Sequence, residues 1–343
     1  MKNKEEKPTR RDFLGRMAVG IAGITGSSLG PSATEKTLAS TSSQGMIYRT
    51  LGRSGEKISL LGLGGYHIGM NPNEQESIRL IRTAIDHGIT FMDNCWDYHN
   101  GVSETRMGKA LEDGYRQKVF LMTKTDAQVK DAWEKQLHEC LQRLQTDVID
   151  LIQFHEVIRI GDPDRIFGPD GAFEAALAAR KAGKVRYIGF TGHKDPAIHL
   201  KMLNAGLKRG FTFDAVQMPL NVLDAHYRSF ATEVVPVCVE HGIGVLGMKP
   251  LADGAIPRNN VLPAIDCLHY AMNLPTSVVI NGCETEERLE QGLEAVRTFK
   301  PMSESEVAAL LAKTAKAAAN GGFEPFKTSH TYDGTYQNPQ WLG

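Results

Sequence analysis

Apolar runs and amphipathic stretches alternate along most of the chain. In the stretch Glu74–His87, for example, Ile78, Ile81 and Ile85 recur at spacings of three and four residues, which is typical of a helix with one buried face. The same spacing predicts further helices, which are Lys130–Leu144, Ala172–Ala182, Phe230–His241, Glu286–Val296 and Glu304–Ala319. Eight strand-like runs alternate with such stretches: Ile58–Leu63, Thr90–Met92, Val119–Met122, Val148–Phe154, Val185–Phe190, Ala215–Met218, Gly244–Gly247 and Ser277–Ile280.

This alternation predicts an α/β fold with parallel strands, because a parallel pair needs a long crossover that a helix usually supplies. Eight such units in roughly 270 residues indicate a (β/α)8 TIM barrel. The competing architecture is an open doubly wound sheet, which should carry G-x-G-x-x-G after its first strand. The glycines from Gly62 to Gly69 lack that spacing. The sequence therefore favours the barrel.

The segments around the eight units complete this prediction. The run "YRTLGRSGEKIS" predicts an N-terminal β-hairpin around a Ser-Gly turn. We expect the barrel to occupy residues 46–320, with its last helix followed by a C-terminal tail at residues 321–343. Surface packing and a position over the substrate pocket are the two alternatives for this tail, which is rich in Gly, Tyr and Phe.

Residues 1–40 have a different character. Basic residues lead into Arg10-Arg11 and Phe13-Leu14, and an uncharged stretch runs from Met17 to Ala33. This order resembles a twin-arginine (Tat) signal peptide, and a disordered basic leader is the alternative. The resemblance implies recognition by the Tat export machinery and a bacterial periplasmic location. The segment would be cleaved after Ala33 or Ala39, or retained as a membrane anchor.

Composition excludes several classes of partner. The 343 residues carry a formal net charge of -1, so no global electrostatic attraction to nucleic acid or an acidic membrane is expected. The five cysteines are scattered without a C-x-x-C pair, which argues against a zinc ribbon or an iron–sulfur cluster. We expect most of them to be buried as small apolar residues.

Polar side chains stand at the ends of three consecutive predicted strands. Asp93 follows the second strand with Tyr98 five residues later, Lys124 ends the third, and His155 ends the fourth. Barrel enzymes place their chemistry on the loops that follow the strands, so these side chains can converge at the barrel mouth. Singly, each has a plainer interpretation as a cap, a loop charge or a core histidine. Their joint occurrence predicts a site.

The four groups suit the protonation of a carbonyl that is becoming an alkoxide. The ammonium of Lys124 would stabilise phenolate and lower the pKa of Tyr98 from its usual value of about 10. Asp93 would keep Lys124 charged and in place, while His155 would hydrogen-bond a substrate oxygen. Such a site needs a hydride source and no metal.

From Tyr48 to Phe299 the chain resembles an aldo-keto reductase. Phe91–Leu111 resembles the signature of the family's second strand, with Asp93 and Tyr98 at the spacing of its catalytic tetrad and Ser103-Glu104 leading into "GKAL". The resemblance implies that Tyr98 is the proton donor, that Asp93 and Lys124 tune it, and that His155 orients the carbonyl. It also implies a nicotinamide cofactor extended across the barrel mouth without a Rossmann fold.

The same resemblance assigns a cofactor site. Gln217 matches the glutamine that holds the nicotinamide amide, Lys249 could meet the pyrophosphate, and Arg288 matches the arginine that binds the 2′-phosphate, which favours NADP(H) over NAD(H). Met248 departs from the family's usual stacking aromatic. The full set of predicted contacts is Gly65, Tyr66, Thr191, Gln217, Met248, Lys249, Pro250, Leu251, Gly282, Cys283, Thr285, Arg288 and Gln291. Tyr66, His67 and Trp96 are the predicted substrate pocket.

The sequence thus predicts an exported NADP(H)-dependent aldo-keto reductase that acts on a small aldehyde or ketone, or on the matching alcohol. The main alternative is a redox sensor of the same fold that holds its cofactor with little turnover. A lyase with Lys124 as a Schiff-base nucleophile and a metal-dependent barrel hydrolase are two others. The hydrolase lacks ligands, since the first strand offers the lone His67 and no His-x-His pair.

Overall fold

The computed structural model describes residues 39–41 and 45–343. The predicted leader lies outside these residues except for Ala39 and Ser40, which begin the first strand. The strands are β1 (Ala39–Thr41), β2 (Ile47–Thr50), β3 (Lys57–Ser59), β4 (Leu61–Gly64), β5 (Phe91–Asp93), β6 (Phe120–Thr125), β7 (Ile149–Phe154), β8 (Val185–Thr191), β9 (Ala215–Pro219), β10 (Gly244–Met248) and β11 (Val278–Gly282).

Strands β4 to β11 form a closed barrel in which every neighbouring pair is parallel and β11 returns to pair with β4. The predicted (β/α)8 architecture is therefore confirmed. Because consecutive strands are neighbours, the ends of β5, β6 and β7 lie side by side. This order is what brings Asp93, Lys124 and His155 to one part of the mouth.

The described helices are α1 (Tyr66–Met70), α2 (Glu74–Asp86), α3 (Val102–Ala110), α4 (Lys130–Arg143), α5 (Asp162–Ile166), α6 (Ala172–Lys181), α7 (Pro196–Leu207), α8 (Phe230–Glu233), α9 (Val235–Glu240), α10 (Ala255–Arg258), α11 (Ala264–Asn273), α12 (Glu286–Thr298), α13 (Glu304–Thr314), α14 (Pro325–Thr328) and α15 (Gly334–Gln337). Several begin at a side-chain cap. Asn73 accepts from the backbone N–H of Gln75, and Thr285 accepts from that of Arg288.

The predicted N-terminal hairpin is also confirmed, as β2 paired antiparallel with β3. The short β1, which the sequence did not predict, adds a third strand by pairing with β2. Leu51 and Ile58 from the hairpin are fully buried among the side chains that fill the barrel, including Phe91 and Leu246. The hairpin therefore closes the amino-terminal end of the barrel and leaves the carboxyl end for the site.

Two predicted helices differ in the structure. The stretch Phe230–His241 divides into α8 and α9, because Pro236 has no N–H to continue the hydrogen-bond ladder. The last predicted helix ends at Thr314 instead of Ala319. The hydroxyl of Thr314 there donates to the backbone carbonyl of Val222 and so ties the helix end to the loop after β9.

The C-terminal tail is packed into the protein. The ammonium of Lys327 is fully buried and contacts Asp224 Oδ1 at 2.7 Å, Glu324 Oε2 at 2.9 Å and the carbonyl of Tyr227 at 2.8 Å. Phe326 joins a separate apolar cluster with Tyr270 and its neighbours. None of the described helices is both long and apolar enough to cross a membrane.

Candidate active site

The ends of β5 and β6 hold three of the predicted catalytic groups together. Lys124 Nζ lies 2.5 Å from Asp93 Oδ1, 2.6 Å from the carbonyl of Asn94 and 3.2 Å from the Tyr98 hydroxyl. The side chain of Lys124 is 1% exposed and that of Asp93 is 6% exposed. The ammonium is therefore fixed by a carboxylate and a carbonyl while it faces the phenol.

The expectation that Lys124 lowers the pKa of Tyr98 is wrong for the described structure. Burial raises the pKa of this phenol well above its usual value, and the nearby Asp93 raises it further. One ammonium, already paired with Asp93, does not offset the loss of water around a phenolate. Tyr98 consequently keeps its proton at neutral pH.

His155, from the end of β7, is surrounded by acids. Its Nδ1 lies 2.7 Å from Asp126 Oδ1, 3.2 Å from Cys95 Sγ and 3.7 Å from Asp97 Oδ1. The edge of its ring meets the ring of Tyr98, with centroids 6.0 Å apart. Burial lowers the pKa of His155, while Asp97 raises it.

Cys95, Asp97, Asp126 and His155 are also the described side chains whose donor atoms are close enough to hold a metal ion, all within 4.8 Å of one another. Two ligands of a tetrahedral zinc ion, each at about 2.0–2.2 Å from it, lie about 3.3 Å apart. The 2.7 Å contact between Asp126 and His155 is shorter and is the length of a hydrogen bond.

Two predicted cofactor residues are glycines at close approaches. A Cβ on Gly65 would lie 2.4 Å from the carbonyl oxygen of Asp93, and one on Gly282 would lie 2.0 Å from Nδ1 of His67. His67 therefore rests against the end of β11. Tyr66 is 49% exposed, and its ring meets that of Tyr98 edge to face at 5.3 Å. These positions place both predicted pocket residues at the mouth.

Gln217, in the middle of β9, provides the test of whether a nicotinamide fits. Its side chain is 1% exposed, and its Oε1 has no hydrogen-bond partner among the described residues. Burial raises the pKa of Asp93, and a hydrogen bond from the Gln217 side chain is among the contacts that oppose this rise, which places Gln217 beside the catalytic groups. A buried acceptor without a partner is unfavourable, and the carboxamide N–H₂ of nicotinamide would satisfy it. The residues present therefore fit the group.

Thr191 and Met248 line the neighbouring strand ends. Thr191 is buried at the end of β8, and its hydroxyl lies 4.0 Å from the sulfur of Met248, which ends β10. Lys249 follows in a left-handed backbone conformation, with φ at +52°. Its ammonium lies over the rings of Phe326 and Tyr332, at 5.4 and 4.9 Å from their centroids. The tail therefore occupies the surroundings of Lys249, with Pro250 and Leu251 continuing the loop.

The predicted phosphate end lies at the start of α12. Arg288 is exposed, and its guanidinium donates to Gln291 Oε1 at 3.3 Å. Thr285 caps the helix, and Cys283 is buried behind the loop. An exposed arginine at a helix N-terminus is able to meet a phosphate.

Trp96, the third predicted pocket residue, is tied to the tail. Its indole N–H donates to Glu139 Oε2 at 2.6 Å, and its ring meets that of Trp341 edge to face at 5.7 Å. Farther along the chain, the carboxylate of Glu156 accepts from the backbone N–H groups of Gly334 and Thr335 at 2.8 and 2.7 Å. The tail thus contacts the mouth as well as the surface.

Sequence reasoning missed Asp126 and Glu156, and it gave Asp97 no role. Asp126 stands two residues after Lys124 in "TKTD", and Glu156 directly follows His155, so both carry the same strand-end signal as the predicted groups. Burial raises the pKa of Asp97 to about 7. The prediction that most cysteines are buried is confirmed for all five.

Comparisons with known proteins identify the family. Residues 60–266 match the model of the Aldo/keto reductase family. An uncharacterized oxidoreductase YrpG of Bacillus subtilis is 30% identical over 231 residues, which cover 62% of this chain and 68% of that protein. The aldo-keto reductase AFTS1 of Alternaria alternata is 31% identical over 255 residues, covering 62% of this chain and 67% of that protein.

Solved structures show the same fold. The holo form of the aldo-keto reductase AKR11C1 from Bacillus halodurans superposes with a TM-score of 0.65 at 24% identity, covering 81% of this chain and 99% of that one. An aldo/keto reductase from Klebsiella pneumoniae, in complex with NADP and acetate, gives a TM-score of 0.62 at 23% identity, covering 77% and 94%.

Proposed function

The chain belongs to the aldo/keto reductase family and is an NAD(P)-dependent oxidoreductase, and we propose that it transfers hydride between NADP(H) and a small aldehyde or ketone, or the matching alcohol. The observation that carries the proposal is the 3.2 Å contact between Lys124 Nζ and the Tyr98 hydroxyl, with Lys124 held by Asp93. A lyase that used Lys124 as a nucleophile would need a neutral amine, which this ion pair disfavours.

The residues of the chain divide the work of proton transfer. A reduced nicotinamide, when bound, supplies the hydride. Tyr98 retains its proton at neutral pH because its pKa is raised, and it gives that proton to the alkoxide as the charge develops. Lys124 then stabilises the phenolate that remains, and His155 holds the carbonyl oxygen within reach of the Tyr98 hydroxyl. Gln217 orients the cofactor through its buried amide.

A substitution at Tyr98 tests this assignment. Tyr98→Phe is expected to lower kcat by about 10²- to 10⁴-fold, since a positioned acid contributes about that much. The dissociation constant for NADPH should be unchanged, because the ring remains. Tyr115→Phe, which removes an exposed hydroxyl bound to Asp86, is the matched control and should keep full activity. Undiminished turnover of Tyr98→Phe with a panel of carbonyls would refute the role. A parent that binds NADPH and turns over no carbonyl would favour the sensor.

NADP(H) is proposed over NAD(H) because of Arg288. A guanidinium forms strong paired hydrogen bonds with a phosphate dianion, and the helix N-terminus adds to the attraction. The acidic first turn, with Glu286 and Glu287, opposes it. Arg288→Ala is expected to weaken NADPH binding about tenfold and leave NADH unaffected. Arg297→Ala, at the far end of α12, is the control. Equal affinity of the parent for both cofactors would contradict the preference.

Export by the Tat route is proposed from Arg10-Arg11 and the uncharged stretch after them. This route carries folded proteins, so NADP(H) would be loaded before export and recycled in place by a second substrate. Replacing both arginines by lysine should retain the protein in the cytoplasm, measured by fractionation and immunoblot. Native mass spectrometry of periplasmic protein should find the nicotinamide bound, and cofactor-free protein with rapid exchange would count against preloading.

A further inference from the structure

We infer that Asp126 is a positioning residue whose carboxyl group is protonated. Its O–H donates a hydrogen bond to Nδ1 of His155, and this holds the N–H of the neutral imidazole on Nε2. The carboxyl Oδ1 and the imidazole Nδ1 are 2.7 Å apart, so one proton lies between them. Which atom holds that proton decides whether Nε2 is a donor or an acceptor.

The surroundings of Asp126 favour a neutral acid. Its side chain is fully buried, and its second oxygen has no hydrogen-bond partner in the described part of the chain. Among those residues, no lysine or arginine nitrogen lies within 4 Å of it; its one ionic contact is His155. A carboxylate would leave a buried charge with one oxygen unsolvated, whereas a carboxylic acid leaves only an unpaired carbonyl oxygen, which is far less unfavourable.

Of the neighbouring charges, Glu156 acts in the same direction and the ammonium of Lys124 opposes it. Glu156 is held ionised by the backbone N–H groups of Gly334 and Thr335 and by the Thr335 hydroxyl, and these hydrogen bonds and His155 lower its pKa. Asp93 is balanced by Lys124. A further anion at Asp126 would stand close to the negative charge of Glu156. Burial, followed by Glu156, raises the pKa of Asp126 well above its usual value.

The consequence lies at the other nitrogen of His155. When Nδ1 accepts from Asp126, the single N–H of a neutral imidazole must be on Nε2, which has no partner among the described residues. A neutral His155 can then donate to a carbonyl oxygen without first becoming imidazolium. An ionised Asp126 would instead take an N–H from Nδ1 and leave Nε2 with a bare lone pair, which repels that oxygen. This role in catalysis rests on the proposed function.

The proton balance depends on every charged or titratable group that faces His155. From the turn after β5 these include the Cys95 thiol and the acid of Asp97, and the phenol of Tyr98 meets the ring. The others, from the ends of β5, β6 and β7, are Asp93, Lys124, Asp126 and Glu156.

The tautomer is measured by nitrogen NMR on protein labelled with ¹⁵N-histidine and saturated with NADP⁺, with His155 assigned by comparison with His155→Gln. We expect a proton-free Nδ1 and a protonated Nε2 at neutral pH. Asp126→Asn should keep this tautomer, because the amide N–H₂ donates to Nδ1, and so should the control Asp97→Asn. A protonated Nδ1 with a bare Nε2 in the parent would overturn the inference. This measurement needs no turnover, so its result is independent of whether the proposed reaction occurs.

Activity gives a second readout. Asp126→Ala should lower kcat by about 10²-fold with little change in KM, since the donor is lost and general acid–base or orienting groups contribute on that scale. Asp126→Asn should stay within about threefold of the parent and leave the pH dependence of kcat unmoved, because no charge is removed. Thermal unfolding and NADPH titration check that both variants fold. The inference would be overturned if kcat fell as far in Asp126→Asn as in Asp126→Ala and the pH dependence of kcat shifted. Zinc that copurifies with the parent and not with Asp126→Asn would do the same.

Discussion

Lys327→Met tests whether the tail is held by a buried ion network. The change keeps the length of the side chain and removes an ammonium that contacts Asp224, Glu324 and the carbonyl of Tyr227. Removing one partner of a buried pair costs about 3–5 kcal/mol. Asp224 keeps hydrogen bonds from the Ser229 hydroxyl and from two backbone N–H groups, so we expect the lower end, about 3 kcal/mol.

The magnitude is measurable by calorimetry. At about 2 °C for each kcal/mol in a chain of this size, the melting temperature should fall by about 6 °C. Lys313→Met, the same change at an exposed position on α13, is the control and should shift the free energy of unfolding by no more than about 0.5 kcal/mol. Lys327→Met/Glu324→Gln should recover part of the loss, because the unpaired carboxylate is removed. A decrease in melting temperature of less than about 2 °C, or no recovery in the double variant, would refute the ion network as the anchor of the tail.

Three further predictions concern the mouth and the helices. The pKa of Asp97 is about 7 in the folded protein and about 3.9 in the unfolded chain. Between these pH values the folded protein binds more protons than the unfolded chain, so its stability falls as the pH rises through that window. Asp97→Asn should lack this fall, measured as the melting temperature from pH 4.5 to 7.5. Gly108→Ala should destabilise the fold, because its Cβ would lie 2.4 Å from a backbone carbonyl of α4, whereas Gly161→Ala meets nothing within 4 Å and should not. Glu156→Gln should speed proteolysis of the tail in a timed digest, since the amide cannot accept all three hydrogen bonds from Gly334 and Thr335; an unchanged digest would contradict this.

The parts of the fold that follow from local pattern could be predicted from the sequence. Apolar periodicity gave the barrel and most helix bounds to within two residues, as for α2, α4 and α6. The division of Phe230–His241 depends on Pro236, whose missing N–H is a local signal that apolar spacing alone does not take into account. The early end of α13 depended on a contact with the distant Val222, which no local pattern reports.

In the site, too, features that depend on distant contacts could not be predicted from local sequence. Strand order explains why Asp93, Lys124 and His155 converge, and their residue types were enough to predict this. The protonation of Tyr98 could not be deduced, because the degree of burial around a phenol depends on residues far apart in the chain. The position of the tail could not be predicted either, since Asp224, one of the partners of Lys327, lies 103 residues earlier in the chain.

Glu156 joins the tail to the acid–base groups. On one side its carboxylate is held by Gly334 and Thr335, and on the other it raises the pKa of Asp126. If the tail leaves, Glu156 loses three donors and gains water, which screens its charge. The electrostatic reason for a neutral Asp126 then weakens. Docking of the tail and the donor state of His155 are therefore coupled through one side chain, so variants that loosen the tail should also change the tautomer of His155.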